Sequence, residues 1–122
     1  ELTSRVNDKA VGDSGGITID TSTLTLENDG IISASTFGKG DAGNITINAT
    51  QGVTVGGLLT SGVFSTIETI DRNSGGITID TANLTLENGG YISADTYGKG
   101  NAGKIEIQAT EGVNVGGELT SR

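Results

Sequence analysis

The sequence predicts an all-β chain: a right-handed parallel β-helix (a β-solenoid) of triangular cross-section, with about four coils of three short strands each. Three observations carry this expectation. The run from Ser14 to Ser61 returns sixty positions later from Ser74 to Ser121, with about three quarters of the aligned positions identical. A fixed internal period is the mark of a stacked-repeat architecture. Aliphatic residues alternate with Thr over very short runs, which suits strands, and no segment has the 3.6-residue apolar period of a helix. Finally, Gly is 21 of the 122 residues, aromatics are 3%, and Pro, Cys, Met, Trp and His are absent. That composition leaves a thin interior of Ile, Leu, Val and Ala with many sharp corners. The Gly follows no Gly-X-Y period, which excludes collagen, and the regular β-branched runs argue against disorder.

The elements follow in order. Leu2 to Ser4 is the last strand of a preceding coil. The first coil has strands at Ile17 to Ile19, Leu24 to Leu26 and Ile32 to Ala34; the second at Ile45 to Ile47, Val53 to Val55 and Leu59 to Ser61. The second repeat supplies Ile77 to Ile79, Leu84 to Leu86 and Ile92 to Ala94, then Ile105 to Ile107, Val113 to Val115 and Leu119 to Ser121. Strands this short need stacking neighbours. Stacking at ~4.8 Å forms inward columns: Ile17 with Ile45, Ile77 and Ile105, and Leu24 with Val53, Leu84 and Val113. Each buried aliphatic contributes roughly 1.5–3 kcal/mol. Right-handed winding follows from the crossover preference of parallel strands.

Residues 1–122 thus read as a single β-helix segment of two 60-residue repeats, 14–61 and 74–121, each of two coils. Glu27-Asn28-Asp29-Gly30 and Gly56-Gly57 supply turns, because Asn and Gly tolerate the left-handed conformation. The stretch 62–73 is the least regular and reads as a longer corner loop, partly apolar through Phe64, Ile67 and Ile70. The string ELTSR stands at both Glu1 to Arg5 and Glu118 to Arg122. This is expected of a segment cut from a longer array, as is the lack of the polar cap that solenoid ends need.

The formal net charge is −8, with a pI near 4.2. With no basic patch, nucleic acid is not an expected partner, nor is an anionic membrane surface. Without Cys there are no disulfides and no structural zinc site. No apolar run approaches the ~18 residues of a membrane-spanning helix.

Candidate chemistry reads mostly as scaffold. Gly38 to Gly43 and Gly98 to Gly103 each match G-x-G-x-x-G, but a strand follows where the dinucleotide fingerprint needs a helix, so both read as tight corners between coils. Asn44, Asn48 and Asn83 head N-x-[ST] sequons, which an Asn- and Thr-rich repeat generates by chance. Asp20 and Asp80 share a column two coils apart, about 9.6 Å by strand spacing, with Asn48 between them and Gln108 after. That separation touches the ~6.5–9.5 Å range of inverting glycosidases, yet both residues belong to the repeat. The column therefore reads as a solvated polar ladder. Gly15 to Asp20 lacks the third Gly and the nine-residue period of calcium β-rolls. Thr18, Thr46 and Thr78 form one outward row, broken by Glu106; Thr25, Thr54 and Thr85 form another, broken by Asn114. The sequence therefore assigns no catalytic, cofactor-binding or metal-binding residue, and names no ligand site.

The phrases Leu24 to Gly40 and Leu84 to Gly100, of the form L-T-L-E-N-G-x-x-I-S-A-x-T-x-G-x-G (with Asp29 at the Gly position of the first), are followed by Gly40 to Ile47 and Gly100 to Ile107, of the form G-[DN]-A-G-x-I-x-I. As a set they resemble the repeat region of filamentous-haemagglutinin-like large exoproteins, of the type common in cyanobacteria. The resemblance implies a right-handed β-helix, exported by two-partner secretion through an outer-membrane partner and extended from the cell surface. No family binding residue carries over.

The functional expectation is a structural repeat segment, a stiff rod or stalk of a secreted or surface-displayed bacterial adhesin, with no enzyme activity and no cofactor. Its expected partners are neighbouring repeats of the same or identical chains, stacking end to end in a filament, together with host or cell-surface glycans. The alternatives are a carbohydrate-binding or polysaccharide-degrading β-helix, with an asymmetric cleft beside residues 62–73, and an ice-binding solenoid.

Overall fold

The computed structural model describes residues 1–7, 10–64 and 72–122. Among these every regular element is a strand. In chain order they are β1 (Leu2–Val6), β2 (Ile17–Leu26), β3 (Ile31–Thr36), β4 (Ile45–Val55), β5 (Leu58–Thr60), β6 (Val63–Phe64), β7 (Ile77–Leu86), β8 (Tyr91–Ser93), β9 (Thr96–Tyr97), β10 (Ile105–Val115) and β11 (Glu118–Thr120). All pairings between them are parallel. The chain is a β-solenoid of four coils: β2 with β3; β4 with β5 and β6; β7 with β8 and β9; β10 with β11. The long strands form a four-stranded sheet in the order β10-β7-β4-β2, and the short strands form a second sheet in which β1 joins β3.

The columns fall where the repeat puts them. Ile17 pairs with Ile45, Ile45 with Ile77, and Ile77 with Ile105; Leu24, Val53, Leu84 and Val113 make the parallel column. Ile45, Ile47, Val55, Leu59, Ile77, Ile79 and Ile92 have no exposed surface. Burying side chains of this size contributes roughly 1.5–3 kcal/mol each, and parallel stacking lets every coil use the same positions for the purpose.

The first two expected strands of each coil run together in one long strand with a corner inside it. Alternation breaks there: in β4, Ala49 is buried, Thr50 and Gln51 both face out, and Val53 is buried again. The register shifts between Thr21 and Thr23 against Ala49 and Gly52. β4 accordingly has 11 residues where β2 has 10. The extra residue is accommodated as a bulge, which bends a strand. Leu2–Val6 lies on β3 as the strand of a preceding coil, reaching two residues beyond the expected Ser4. Val63–Phe64, at the start of the expected corner loop 62–73, is strand β6 and pairs with β9. Ile67 and Ile70 lie outside the described residues.

One glycine column explains the Gly that recurs two residues before each long strand, at Gly15, Gly43, Gly75 and Gly103. A Cβ on Gly43 would overlap the carbonyl of Gly15 beneath it; the same holds for Gly75 over Gly43 and Gly103 over Gly75. The backbones approach so closely there that no side chain fits.

Candidate functional site

Two faces and two corners bring polar groups together, and each is built by the register. On the outer face of the four-stranded sheet, Asp20, Asn48, Asp80 and Gln108 are successive partners. Asn48 Nδ2 donates to Asp20 Oδ1 at 2.6 Å. In this column an amide, bonded to the first carboxylate, stands between two carboxylates. Thr18, Thr46, Thr78 and Glu106 run beside it, and Thr25, Thr54, Thr85 and Asn114 run beyond the corner. A Glu and an Asn interrupt the two Thr rows at the fourth coil, as the sequence indicates.

The three sequon asparagines are all engaged between coils. Asn44 Oδ1 accepts the Gly76 N–H at 2.7 Å, Asn48 donates to Asp20, and Asn83 Nδ2 donates to Glu111 Oε2 at 2.8 Å. Their recurrence has a structural cause.

The G-x-G-x-x-G segments form corners, where a second ladder runs. Asp41 N–H donates to Asp13 Oδ1 at 2.8 Å, Asn73 N–H to Asp41 Oδ1 at 2.7 Å, and Asn101 N–H to Asn73 Oδ1 at 2.9 Å. Each side chain accepts from the backbone of the next coil, which satisfies corner amides that no strand can pair. Gly40 and Gly100 have φ of +137° and +129°, so these corners require glycine.

Inside the coils, serines tie the faces together. Ser14 Oγ donates to the Ser4 carbonyl, Ser61 Oγ to Gly43, Ser74 Oγ to Ala94 and Ser121 Oγ to Gly103, at 2.8, 2.7, 2.9 and 2.6 Å. This role was not expected from sequence, although SGG at Ser14 and Ser74 and Thr-Ser at Ser61 and Ser121 recur with the period.

Three further features are irregular with respect to the repeat. Asp95 stands where the first repeat has Ser35, and it is 1% exposed. It accepts from Ser93 Oγ at 2.6 Å, from Thr120 Oγ1 at 3.1 Å and from the Arg122 N–H at 3.1 Å, with the Tyr91 hydroxyl at 3.4 Å. Arg122 Nε is 3.9 Å from it. The Tyr91 hydroxyl, and secondarily the Asp95 charge, hold the Arg122 guanidinium above its ordinary pKa. Arg72 stands where the first repeat has Gly12. It is 1% exposed and donates Nη1 to the Gly38 carbonyl at 2.5 Å. Finally, Phe37, Phe64 and Tyr97 stack up the solenoid with centroids 5.3 and 5.6 Å apart, and the Arg5 guanidinium lies 5.4 Å over the Phe37 ring. Offset stacking of this kind adds to the burial of the rings. Phe37 and Tyr97 are one period apart, which is the only sequence signal for it.

On the fourth coil, Lys104 Nζ meets Glu106 Oε2 at 2.6 Å. That hydrogen bond, then one from Gln108 and the Lys104 charge, lower the pKa of the Glu106 carboxyl. Among the described residues no group of three or more Asp or Glu could hold a metal ion, and no helix is long and apolar enough to cross a membrane. Asp20 and Asp80 are kept apart by Asn48, which lies between them in the column. The arrangement is one in which polar side chains bond the coils to each other.

No family model, curated protein or solved structure matches this chain, so its description rests on its own geometry: it is a β-solenoid repeat of four coils.

Proposed function

We propose that the chain is a spacer: a stiff rod segment of a secreted or surface-displayed bacterial exoprotein of the adhesin type. The observation that carries this reading is the continuous parallel stacking of four long strands, with Ile17, Ile45, Ile77 and Ile105 in one column. Coils that contact only their neighbours can be added without limit, and each adds ~4.8 Å of length. Asn48, bonded to Asp20, and Asn83, bonded to Glu111, support the reading as well, because each joins neighbouring coils. Secretion, the outer-membrane partner and the surface location come from the resemblance of the repeat phrases to filamentous-haemagglutinin-like exoproteins. The role is mechanical, and no reaction is assigned to it.

Immunogold labelling of intact source cells with antibody against the purified chain tests this. The expected signal lies outside the outer membrane, at a distance from it. Signal confined to the cytoplasm overturns the reading.

A second reading is a glycan-binding rod. It is favoured by one observation: Tyr97, at the end of the aromatic stack, is 50% exposed, and an open aromatic face suits a sugar ring. A glycan array with the chain and with Tyr97→Ala tests it; binding by the first and loss in the second is expected. No binding by the unaltered chain overturns it.

A further inference from the structure

The corner between the long and short strands differs between the two repeats at one chemically important place. It reads Glu27-Asn28-Asp29-Gly30 in the first and Glu87-Asn88-Gly89-Gly90 in the second, so the chain's single Asn-Gly pair stands at Asn88-Gly89. Both corners are turns closed by the same bond: Gly30 N–H donates to the Glu27 carbonyl and Gly90 N–H to the Glu87 carbonyl, each at 2.8 Å. Asn88 and Gly89 are the two central residues of their turn, and both are exposed. Gly89 has φ of +91°, as the second central position of a type II turn requires.

An asparagine side chain can be attacked by the backbone nitrogen of the residue that follows it. A side chain on that residue crowds the attack, and a hydrogen bond on its N–H has to be broken first. Neither obstacle exists at Gly89. It has no side chain, nothing lies within 4 Å of where a Cβ would be, and its N–H makes no hydrogen bond among the described residues. The other asparagines are guarded. Asn44 precedes Ile45, whose N–H donates to Gly76, and Asn73 precedes Ser74, whose N–H donates to Asn101. Asn48, Asn83 and Asn114 lie inside β4, β7 and β10. Asn28, the counterpart of Asn88, is followed by Asp29. The Asp29-Gly30 pair, open in principle to the same ring closure, has its attacking N–H bonded to Glu27.

We propose that Asn88 is a site of spontaneous modification, at which the folded chain converts its own side-chain amide to a carboxylate. Hydroxide takes the proton of the Gly89 amide, and the nitrogen attacks Asn88 Cγ. The N–Cγ bond forms, the Cγ–Nδ2 bond breaks, and Nδ2 leaves as ammonia with a proton from water. Water then opens the cyclic imide. Cleavage at Cγ leaves an aspartate at position 88; cleavage at the main-chain carbonyl leaves an isoaspartate, whose chain runs through the side-chain carboxyl. Water is the one co-reactant, and no electron is transferred. Either product adds a negative charge beside Glu87 to a chain already at −8, which raises local repulsion. The isoaspartate also lengthens the backbone of a turn that has no slack: Gly90 packs against the Val55 carbonyl, and its own carbonyl accepts from Glu118 N–H at 2.9 Å. The coil corner therefore loosens with age. The reaction needs only this turn and water, whatever the role of the chain.

The test is to incubate the full folded chain at 37 °C at neutral and at mildly alkaline pH, and to follow each asparagine by peptide mapping. A peptide spanning Leu86 to Tyr91 is the unstructured reference, and Gly89→Asp, which restores the corner of the first repeat, is the control variant. Conversion at position 88 is expected at least several-fold faster than at Asn28, within a few-fold of the free peptide, faster at higher pH, and at least several-fold slower in Gly89→Asp. A folded chain that keeps its amide while the peptide converts overturns the proposal. So does conversion no faster than at Asn28, or equally fast in a folded Gly89→Asp. The isoaspartyl fraction, separated by anion exchange, is expected to show faster hydrogen exchange over residues 87–91 than the fresh chain, with β4 unchanged; unchanged exchange over 87–91 overturns the loosening of the corner.

Discussion

The backbone N–H of Asn73 donates to Asp41 Oδ1 at 2.7 Å across 32 residues of chain, while Asp41 N–H donates to Asp13 Oδ1 at 2.8 Å across 28. Coils of unequal length therefore return to the same corner. The Asx column fixes that corner from coil to coil, and the inward aliphatic columns fix the faces between. Asp41→Ala removes an acceptor for a backbone amide that has no strand partner. A loss of about 1–3 kcal/mol is expected in urea unfolding, with Asp41→Asn close to the unaltered chain.

Position within a column sets the cost of truncation. Val53 is 1% exposed and Val113, its column mate two coils away, is 53% exposed. Val53→Ala is expected to cost about 2 kcal/mol or more, and Val113→Ala less than about 0.5, measured by the same unfolding curves. Ile77→Asp, which places an unpaired charge in the middle of the Ile column, is expected to unfold at least one coil. An unchanged melting curve for that variant contradicts the column.

Gly75 lies between Gly43 and Gly103 with no room for a Cβ. Gly75→Ala has to push two coils apart, and a loss of about 1–3 kcal/mol is expected. Gly52, whose nearest non-neighbouring atom would be 3.6 Å from a new Cβ, is the control; Gly52→Ala is expected to be close to neutral.

Asp95 anchors β11. Asp95→Ala leaves the buried Ser93 hydroxyl and the Arg122 N–H without their acceptor, at about 1–3 kcal/mol. The loss is local, so hydrogen exchange is expected to speed up over residues 118–122 and to stay unchanged in β4 and β7.

The Lys104–Glu106 pair gives a signed pH effect. The folded-state pKa of Glu106 lies below its ordinary value of 4.5. Its contribution to stability is therefore present above pH 4.5 and disappears as the pH falls through the lowered value. Both groups are exposed, so the effect is small and is screened by salt. NMR titration is expected to show the Glu106 carboxyl returning toward 4.5 in Lys104→Met.

Legibility from sequence followed the period. The Ile17 and Leu24 columns, the polar ladder from Asp20 to Gln108 and the place of Leu2 in a preceding coil all follow from equal spacing, because parallel stacking maps equal spacing onto contact. The long strands were less legible. The corner between Thr21 and Thr23 looks like a gap between two strands, since alternation fails there, yet the backbone pairing runs on either side of a bulge. Arg72 gave no signal: its counterpart is Gly12, and an irregular segment has no column to read. Asp95 was visible only as a departure from Ser35, and its burial depends on ELTSR arriving from the next coil. Phe64 reads as loop in the sequence because no periodic mate precedes it at sixty residues; its ring stacks between Phe37 and Tyr97.

Cross-strand NMR contacts between backbone protons test the stacking most directly. Parallel register predicts Hα-to-amide contacts linking Ile45 with Ile77 and Ile77 with Ile105, and none between Ile17 and Leu26 within one strand. Contacts joining β2 to itself or to β3 in antiparallel order would contradict the solenoid.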